Sequence, residues 1–540
     1  MRTIKAKSVY QGIAIGRAFY YRRAAVEIPD TPSADADAEW TRLEAALEAA
    51  DQRLESTYHR VRESIGSAEA QIFDTHRLIL SDEDLLDTLR AKITEGKNAL
   101  QSVFEGGAEF SAFFEALDDD YMRARAIDIR DVSVLVLKIL SNIPEQEMLL
   151  SPAIVVADDL TPGETIQMDK KNILAFVTRG GSASSHTAIL ARTMGIPSLV
   201  QADITEADLE PDMLMAVDGF SGICYLAPDR ETLACLEEKR QKEAAHRREI
   251  EAVRGLSSTS LCGRTMQVFA NISGNEDLPL VLEHDAEGIG LLRSEFLYLG
   301  RNTPPSEETQ FVAYRNIAEK MGGRKVIIRT MDIGADKQVD YLGLASEENP
   351  ALGYRAIRIM LDRPDLFSTQ LRAICRASAY GNVAIMFPMI SSLWELRACK
   401  AALEDARESV TRQGLALSNM EVGIMIETPA SVIIRDALAK EVDFFSVGTN
   451  DLTQYTLAVD RQNQNLERYA DPHHPAIFEM LRLIAQSASA HGIWAGICGE
   501  LAGDLSLTER FLEMGYSELS VAPPLVLPLR KAIRDSRVVC

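Results

Sequence analysis

The segment GGSASSHTAILAR, residues 180–192, contains a single histidine, His186, at the point where a glycine-rich loop gives way to a helical pattern. The glycines permit a sharp turn, and the serines can cap the helix that follows. Unpaired amides at a helix start favour anions, so they would hold a phosphoryl group carried on His186. A loop histidine is more often an ordinary polar residue, and the phosphoryl-acceptor hypothesis therefore depends on the rest of the chain.

A second group of chemically capable residues follows the strand-like runs beyond Ser257. These runs alternate with helical segments and read VFANI, IGLLRSE, KVIIRTMD, VAIMFPM, VGIMIETP, FFSVGTND, WAGICGE and ELSVA. The alternation predicts a (β/α)8 barrel, in which catalytic groups gather at the carboxyl ends of the strands. We expect the residues at or just after those ends to converge, namely Arg293, Arg329, Lys337, Arg355, Glu427, Asn450, Asp451, Arg461 and Cys498.

These residue types favour phosphate chemistry. Glu427 and Asp451 supply hard oxygen ligands, which Mg2+ prefers together with phosphate oxygens and water. The arginines would repel one another without an anion between them, so we expect a substrate with a phosphate group, with or without a carboxylate. A network of structural salt bridges is the competing interpretation. Cys498 is either a small buried apolar residue or, beside cations, a proton donor.

Other elements must position these groups. Short strand-like runs at residues 8–22 precede a long stretch of helical periodicity, and strand-like runs return from Ala153. The helical block is therefore predicted to be inserted into an α/β domain. The charged residues 228–254 predict a long helix between domains. The predicted boundaries are 1–30 with 145–227 for the α/β domain, 31–144 for the helical subdomain, 228–256 for the linker helix and 257–540 for the barrel.

Length and composition limit the possible classes of protein. A chain of 540 residues with 46% hydrophobic content can build two to four cores. Its net charge of −23 disfavours nucleic acids and anionic membranes as general partners. The seven cysteines form no C-x-x-C pair, which argues against a disulfide framework or a zinc site and predicts a reducing cytoplasm. We expect neither a signal peptide nor a membrane span.

The sequence resembles the enzyme I family of the bacterial phosphoenolpyruvate:sugar phosphotransferase system over essentially its whole length. The motifs that carry the resemblance are GGSASSHTAILAR, GIGLLRSEFLYL, RTMDIGADK, ENPALGYRAIRI, MIETPAS, SVGTNDLTQYTLAVDR and GICGELAGD. The resemblance implies that phosphoenolpyruvate, with Mg2+, yields pyruvate and a phosphohistidine. The phosphoryl group would then pass to the small carrier protein HPr.

The resemblance also implies a role for each matched residue. His186 would be the nucleophile, Cys498 would protonate the enolate, and Glu427 with Asp451 would bind Mg2+. Phosphoenolpyruvate would be held by Arg293, Arg329, Lys337, Arg355, Asn450 and Arg461. His76 and Arg125 fall in segments that resemble the carrier-binding surface of the helical subdomain. By the same resemblance, we expect a swivelling phosphohistidine domain and a homodimer formed through the barrel.

Two alternatives stay open at this stage. A phosphoenolpyruvate synthase or pyruvate phosphate dikinase would need an ATP-grasp domain, for which residues 33–142 are too few and too helical. A regulatory phospho-relay enzyme with a dedicated HPr paralogue is kept open by a departure from the family pattern. Ser67 and Ala68, with only Glu69, stand where many relatives have consecutive acids. The last strand also departs, because it reads LSVAPP.

Overall fold

The computed structural model describes the chain except for residues 23–25, 27, 30, 34, 65–66, 117–119, 144–150, 161–163, 166–167, 169, 182–187, 189–190, 193, 211, 335–338, 462 and 539–540. The chain divides into two compact units, residues 1–246 and 247–540. The division falls within the helix Arg230–Glu251.

The first unit is built on a mixed sheet. Its strands are β1 Arg2–Lys5, β2 Lys7–Tyr10, β3 Ile13–Tyr20, β4 Ala153–Ala157, β5 Ile173–Thr178, β6 Ser198–Val200, β7 Leu214–Asp218 and β8 Ile223–Leu226. Within the described residues they follow the order β1-β8-β7-β3-β4-β5-β6-β2. Strands β3 to β6 run parallel, and all five residues of the central strand β4 are buried. Such a continuous apolar run is typical of a parallel strand covered on both faces.

A helical block separates two neighbouring strands of this sheet. Its helices are α1 Ala36–Ser64, α2 Ser67–Leu80, α3 Glu83–Thr94, α4 Ala99–Glu115 and α5 Asp120–Leu140. Side chains cap two of them, because Asp82 accepts from the amides of Asp84 and Leu85, and Asn98 accepts from that of Gln101. Strands β3 and β4 pair in parallel although the whole block lies between them in sequence. The predicted insertion of helices into an α/β fold is therefore confirmed.

The helix Arg230–Glu251 is mostly exposed and charged, and among its residues Leu236 is buried. Within the first unit, the Lys239 ammonium lies 3.1 Å from a carboxylate oxygen of Asp218. Asp218 closes strand β7 and is buried, so this ion pair fastens the first part of the helix to the sheet.

The second unit is a closed barrel. Among the described residues its parallel strands are β9 Gln267–Ile272, β10 Gly288–Arg293, β11 Lys325–Arg329, β12 Val383–Phe387, β13 Val422–Ile426, β14 Phe444–Val447, β15 Trp494–Ile497 and β16 Glu518–Val521. Strand β16 pairs with β9 and completes the closure. The (β/α)8 barrel predicted from the sequence is confirmed.

Helices surround the barrel strands. They span Leu278–Glu283, Glu307–Lys320, Ile357–Asp362, Pro364–Ala377, Leu393–Arg412, Pro429–Ile433, Arg435–Ala439, Thr449–Leu457, Pro475–His491, Thr508–Met514 and Val526–Asp535. Their apolar faces bury large side chains against the outside of the strands, each worth about 1.5–3 kcal/mol. A smaller cluster fills the barrel interior and includes Phe269, Ile327, Met386, Phe444 and Cys498.

No helix in the part of the chain that the structure describes combines the length and apolar character needed to span a membrane.

Candidate active site

The carboxyl ends of the barrel strands form one rim around a cavity of about 380 Å³. In the register of the sheet, Arg293 at the end of β10 lies opposite Arg329 at the end of β11. Most of the barrel residues singled out from the sequence line this cavity, namely Arg293, Arg329, Arg355, Glu427, Asn450, Asp451, Arg461 and Cys498. The fold thus brings together side chains that are far apart in sequence.

Buried carboxylates hold two of the arginines in place. Arg329 donates to Glu295 Oε1 at 2.6 Å and lies 3.1 Å from Asp332 Oδ2. Arg355 donates from Nη2 to Asp332 Oδ1 at 2.9 Å, so Asp332 bridges the two guanidinium groups. Burial disfavours the charge on each arginine, but the surrounding carboxylates outweigh it and raise the pKa of both side chains. Both cations are therefore fixed in position and charge before a ligand arrives.

The other two arginines of the lining are more exposed. Arg293 lies exposed at the rim. The side chain of Arg461 is 45% exposed, and its Nη2 lies 3.9 Å from Asp451 Oδ1. Positive charge thus extends from the buried floor of the cavity to its mouth, an arrangement suited to an anionic ligand that enters from solvent.

Glu427 and Asp451 leave carboxylate oxygens unsatisfied in this cavity. Glu427 is fully buried, and its Oε1 accepts the amide hydrogen of Met389 at 2.6 Å. Counting only the described residues, Glu427 Oε2 and Asp451 Oδ1 have no hydrogen-bond partner. Burial, followed by the charges of Asp451 and Asp332, raises the pKa of Glu427 to about 8. Unsatisfied hard oxygens whose charges oppose one another are what a divalent cation would stabilise.

This donor set fits Mg2+. Among the described residues, no cluster of three or more His, Cys, Asp or Glu side chains is arranged to bind a metal ion, so the protein would supply the two carboxylates alone. Sites for Mg2+ commonly combine one or two carboxylates with phosphate oxygens and water. Two carboxylates beside an arginine cluster match that pattern.

The Cys498 thiol is buried at the base of the cavity. It is 4% exposed, and its Sγ donates weakly to the carbonyl oxygen of Val447 at 3.6 Å. Burial raises the pKa of the Cys498 thiol to about 12. The thiol therefore keeps its proton at neutral pH, which suits a proton donor and disfavours a nucleophile.

Asn450 is locked to Glu500. Its Nδ2 donates to Glu500 Oε1 at 3.0 Å, and its Oδ1 accepts the Glu500 amide hydrogen at 3.1 Å. The pair joins the helix after β14 to the turn after β15. Asn450 is thereby held in one orientation at the rim.

Comparison with known proteins gives the family. The family profile described as "PEP-utilising enzyme, PEP-binding domain" matches residues 247–538. The profiles described as "PEP-utilising enzyme, N-terminal" and "PEP-utilising enzyme, mobile domain" match residues 5–125 and 150–222. The chain belongs to the phosphoenolpyruvate-utilising enzymes.

Relatives that match almost the whole chain identify a narrower family within these enzymes. The phosphoenolpyruvate-protein phosphotransferase of Priestia megaterium is 40% identical over 538 residues, which cover 99% of this chain and 94% of that protein. The proteins of the same name from Bacillus subtilis (strain 168) and Staphylococcus aureus are 39% and 38% identical and cover 99% and 98% of this chain. Within the phosphoenolpyruvate-utilising enzymes, the chain thus belongs to the phosphoenolpyruvate-protein phosphotransferase family, and the resemblance inferred from the motifs is confirmed.

Three acids that organise the site of this phosphoenolpyruvate-utilising enzyme were not predicted from the sequence. Glu295 and Asp332 follow Arg293 and Arg329 by two and three residues, and Glu500 follows Cys498 by two. Each lies in a motif that had already been singled out. An acid two or three residues after a motif residue was the available signal, but only the folded chain shows that Glu295 and Asp332 contact arginines and that Glu500 contacts Asn450.

Four predicted site residues are not among the described residues that line this cavity. His186 and Lys337 lie outside the described residues. In the first unit, His76 on α2 is 4% exposed, and its Nε2 is 3.3 Å from Asp128 Oδ1 on α5. Arg125 is half-buried on α5.

Proposed function

We propose that this protein is a phosphoenolpyruvate-protein phosphotransferase that transfers the phosphoryl group of phosphoenolpyruvate to His186 and then to a histidine of the carrier HPr, releasing pyruvate. Relatives of that name match almost the whole chain at about 40% identity. The observation that carries the proposal is the barrel cavity, which combines fixed arginines, two unsatisfied carboxylate oxygens and a protonated thiol.

In this proposal the cations of the cavity bind phosphoenolpyruvate. Its phosphate and carboxylate are planar or trigonal arrays of oxygens, which guanidinium groups recognise with two donors at once. Arg329 and Arg355 form the fixed part of this site, and Arg293 and Arg461 close on the ligand from the rim. Asn450 adds an oriented amide, and Lys337 is proposed as a further cation from the family motif.

Enzymes of the phosphoenolpyruvate-utilising family use a metal ion, and we propose Mg2+ here, held by Glu427 and Asp451. Bound there, Mg2+ would neutralise charge on the phosphoryl oxygens and on the departing enolate oxygen. The fixed arginines would also stabilise this negative charge, because they are charged and oriented before the phosphoryl group moves.

The chemical steps then involve two side chains. The imidazole of His186 attacks phosphorus, and the bond from phosphorus to the enol oxygen breaks, leaving an enolate. The Cys498 thiol gives its proton to C3 of the enolate, which yields the methyl group of pyruvate and a thiolate. A thiol with a raised pKa suits this step, because it arrives protonated and is beside cations that tolerate its transient negative charge.

The helical subdomain is the proposed carrier-binding region. Exposed apolar side chains occur on α2 and α5, with Leu78 at 71%, Ile127 at 50% and Val134 at 40% exposure. Arg125 lies on the same helix α5. His76 is buried, so in this proposal it supports the surface through Asp128 and does not contact HPr directly.

The homodimer through the barrel and the cytoplasmic location are further proposals. Large apolar side chains are exposed on the barrel, including Leu352, Trp394 and Ile433 at 66–71%, which is the kind of surface that subunit contacts cover. The described cysteines, which include the exposed Cys235, are free thiols, and this supports a reducing compartment.

The proposed function is tested by labelling with radioactive phosphoenolpyruvate and Mg2+. We expect an acid-labile phosphoprotein from the unaltered chain and none from His186→Ala, which should still bind phosphoenolpyruvate. His246→Ala, which replaces an exposed histidine of the long helix, is the matched control and should label normally. Label that persists in His186→Ala, or that requires ATP, would contradict the proposal. Transfer to HPr supports the sugar-uptake role, and transfer only to a dedicated paralogue supports the regulatory relay.

A further inference from the structure

A buried glutamine on an outer helix of the barrel contacts the turns that carry the site. Gln370 lies on the helix Pro364–Ala377 and is 0% exposed, and the other buried residues of that helix are apolar side chains and one cysteine. An amide in such a face is costly to bury unless its polar atoms have partners. Gln370 is not among the described residues that line the cavity, so it can influence the reaction only through other groups.

Each polar atom of the Gln370 amide has a partner. Its Oε1 accepts the amide hydrogen of Met331 at 3.0 Å. Its Nε2 donates one hydrogen to Ser294 Oγ at 2.9 Å and one to the hydroxyl oxygen of Tyr314 at 3.1 Å. The reverse orientation of the amide would set its NH2 group against the N–H of Met331, so these contacts permit one orientation.

Two of these contacts are to the turns that position Arg329, namely residues 293–295 after β10 and residues 329–332 after β11. Ser294 Oγ donates to the carbonyl oxygen of Arg329 at 2.6 Å. Met331 directly precedes Asp332, whose carboxylate bridges the two fixed guanidinium groups. Gln370 therefore holds the segment 329–332 at both ends, through Ser294 at its start and directly at Met331.

Ser294 also connects Gln370 to the second carboxylate that holds Arg329. Glu295 directly follows Ser294, is buried, and accepts from Arg329 Nη2 at 2.6 Å. The spacing between the two turns thus determines how the guanidinium group lies between Glu295 and Asp332. Because Gln370 contacts both turns, it fixes this spacing.

A buried polar network holds Gln370 from the outer layer of the barrel. The hydroxyl groups of Tyr314 and Tyr298 each donate to Gln310 Oε1 at 3.2 Å, and Gln310 Nε2 donates to the carbonyl oxygen of Pro305 at 3.1 Å. Burial raises the pKa of both tyrosines, so they keep the protons that they donate. Buried networks whose donors and acceptors are matched hold their members in one arrangement.

We propose that Gln370 is a positioning residue for phosphoryl transfer, because it fixes the Arg329 guanidinium group between its two acids. This inference rests on the proposed function, since it concerns transfer to His186. A guanidinium group that is already in place stabilises charge on the phosphoryl oxygens without having to reorient. Loss of Gln370 lets the two turns shift, and a displacement of about 1 Å in an active site can slow a reaction by about 10²-fold.

A time course of phosphorylation separates positioning from stability. The enzyme is mixed with excess radioactive phosphoenolpyruvate and Mg2+ without a carrier, and pyruvate is removed as it forms. The amplitude of phosphoprotein formation then counts the folded enzyme, and the rate constant at saturating phosphoenolpyruvate reports the geometry of the site. Gln370→Leu loses all three hydrogen bonds at similar side-chain size, and its rate constant should fall by roughly tenfold or more, whatever the amplitude. Ser294→Ala should give a smaller fall.

Two further variants identify the contacts responsible. Gln310→Leu is the matched control, because it removes a glutamine of similar burial whose hydrogen bonds go to Pro305 and the two tyrosines. Its amplitude should fall, and its rate constant should not. Gln370→Glu keeps the acceptor for Met331 and, while its carboxyl group is protonated, a donor for Ser294. Its rate constant relative to the unaltered chain should be highest at low pH and fall as the pH rises and the carboxyl group ionises.

The possible outcomes are distinct. An unchanged rate constant in Gln370→Leu would overturn the inference, and so would an equal fall in Gln310→Leu, since that would show a general effect of disturbing the network. If Gln370→Leu does not fold, normal rate constants in Ser294→Ala and in Gln370→Glu at every pH would overturn it. If the unaltered chain forms no phosphoprotein, the proposed function itself fails.

Discussion

The thiol of Cys498 and the carboxyl of Glu427 are both buried at the barrel mouth, and burial raises the pKa of both groups. The raised pKa has a different consequence for each of the two groups. A thiol with a pKa of about 12 carries its proton into the reaction. A carboxyl group held beside Asp451 and Asp332 gains stability when a cation binds, since the cation offsets the repulsion among the acids.

Cys498→Ala should slow pyruvate formation by roughly 10²–10⁴-fold, because a positioned acid is lost from the step that makes the methyl group. The affinity for phosphoenolpyruvate should change little, since the arginines are untouched. Steady-state kinetics give both values. Cys375→Ala, at a buried cysteine of the outer barrel core, is the control and should keep its turnover. Unaltered turnover in Cys498→Ala would remove the proposed role.

Glu427→Gln and Asp451→Asn should each raise the Mg2+ concentration needed for half-maximal phosphorylation by roughly tenfold or more, because each removes a charged oxygen ligand. Chelation of the metal should stop phosphorylation of the unaltered chain. Titration of phosphoprotein formation with Mg2+ measures the effect. Glu441→Gln, which breaks a surface ion pair with Arg397, should leave the titration unchanged. A variant of either proposed ligand with normal metal dependence would contradict the assignment.

The raised pKa of Glu518, which results from burial, predicts how the free energy of unfolding depends on pH. An acid whose pKa is higher in the folded protein stabilises the fold below the pKa of the unfolded chain, about 4.3 for glutamate, and this contribution is lost as the pH rises towards the folded-state pKa. Between about pH 5 and about pH 8, the free energy of unfolding should therefore fall more for the unaltered protein than for Glu518→Gln. Chemical denaturation at several pH values measures this difference. Parallel curves would show that Glu518 ionises normally.

The strands of the barrel determine which side chains face the barrel interior. Strand β15 places Trp494, Gly496 and Cys498 on its inner side, and β16 places Glu518 beside Gly496. A one-residue slip of either strand would turn these groups out of the barrel. The register therefore decides whether the Glu518 carboxyl group lies inside the barrel.

Gly496→Ala should destabilise the fold by roughly 1–3 kcal/mol, since the added methyl group overpacks the space that holds the Glu518 carboxyl group. The same substitution in a Glu518→Ala background should cost less, because the colliding atoms are gone. Denaturant unfolding of the two single variants and the double variant gives the coupling between the sites. Equal costs in both backgrounds would show that the strain arises elsewhere.

The sequence predicted these elements better than it predicted their contacts. Alternating strand-like and helical runs with motif residues at the strand ends were sufficient to predict the barrel and the convergence of Arg293, Arg329, Glu427 and Cys498. The roles of Glu295 and Asp332 could not be predicted because an acid a few residues after an arginine is equally consistent with a solvated surface. Glu518 lies in the run ELSVA, which was predicted to be a strand. The space for its carboxyl group depends on Gly290 and Gly496, which lie on two other strands.

At the scale of the whole molecule, the proposed chemistry needs both units. His186 belongs to the first unit, and the residues proposed to bind phosphoenolpyruvate belong to the second. The family profiles likewise match segments of both units. The helix Arg230–Glu251 spans the division between them, so its integrity should matter for phosphotransfer even though it contributes no residue to the cavity.

In the proposed reaction, the phosphoryl group of phosphoenolpyruvate is transferred to one histidine of this chain. A single-turnover reaction with excess enzyme, phosphoenolpyruvate and Mg2+ tests it most directly, with pyruvate quantified and the phosphorylated residue located by mass spectrometry. We expect equal amounts of pyruvate and of phosphohistidine at His186. Pyruvate released with free phosphate and no labelled protein, or label on a different residue, would contradict it.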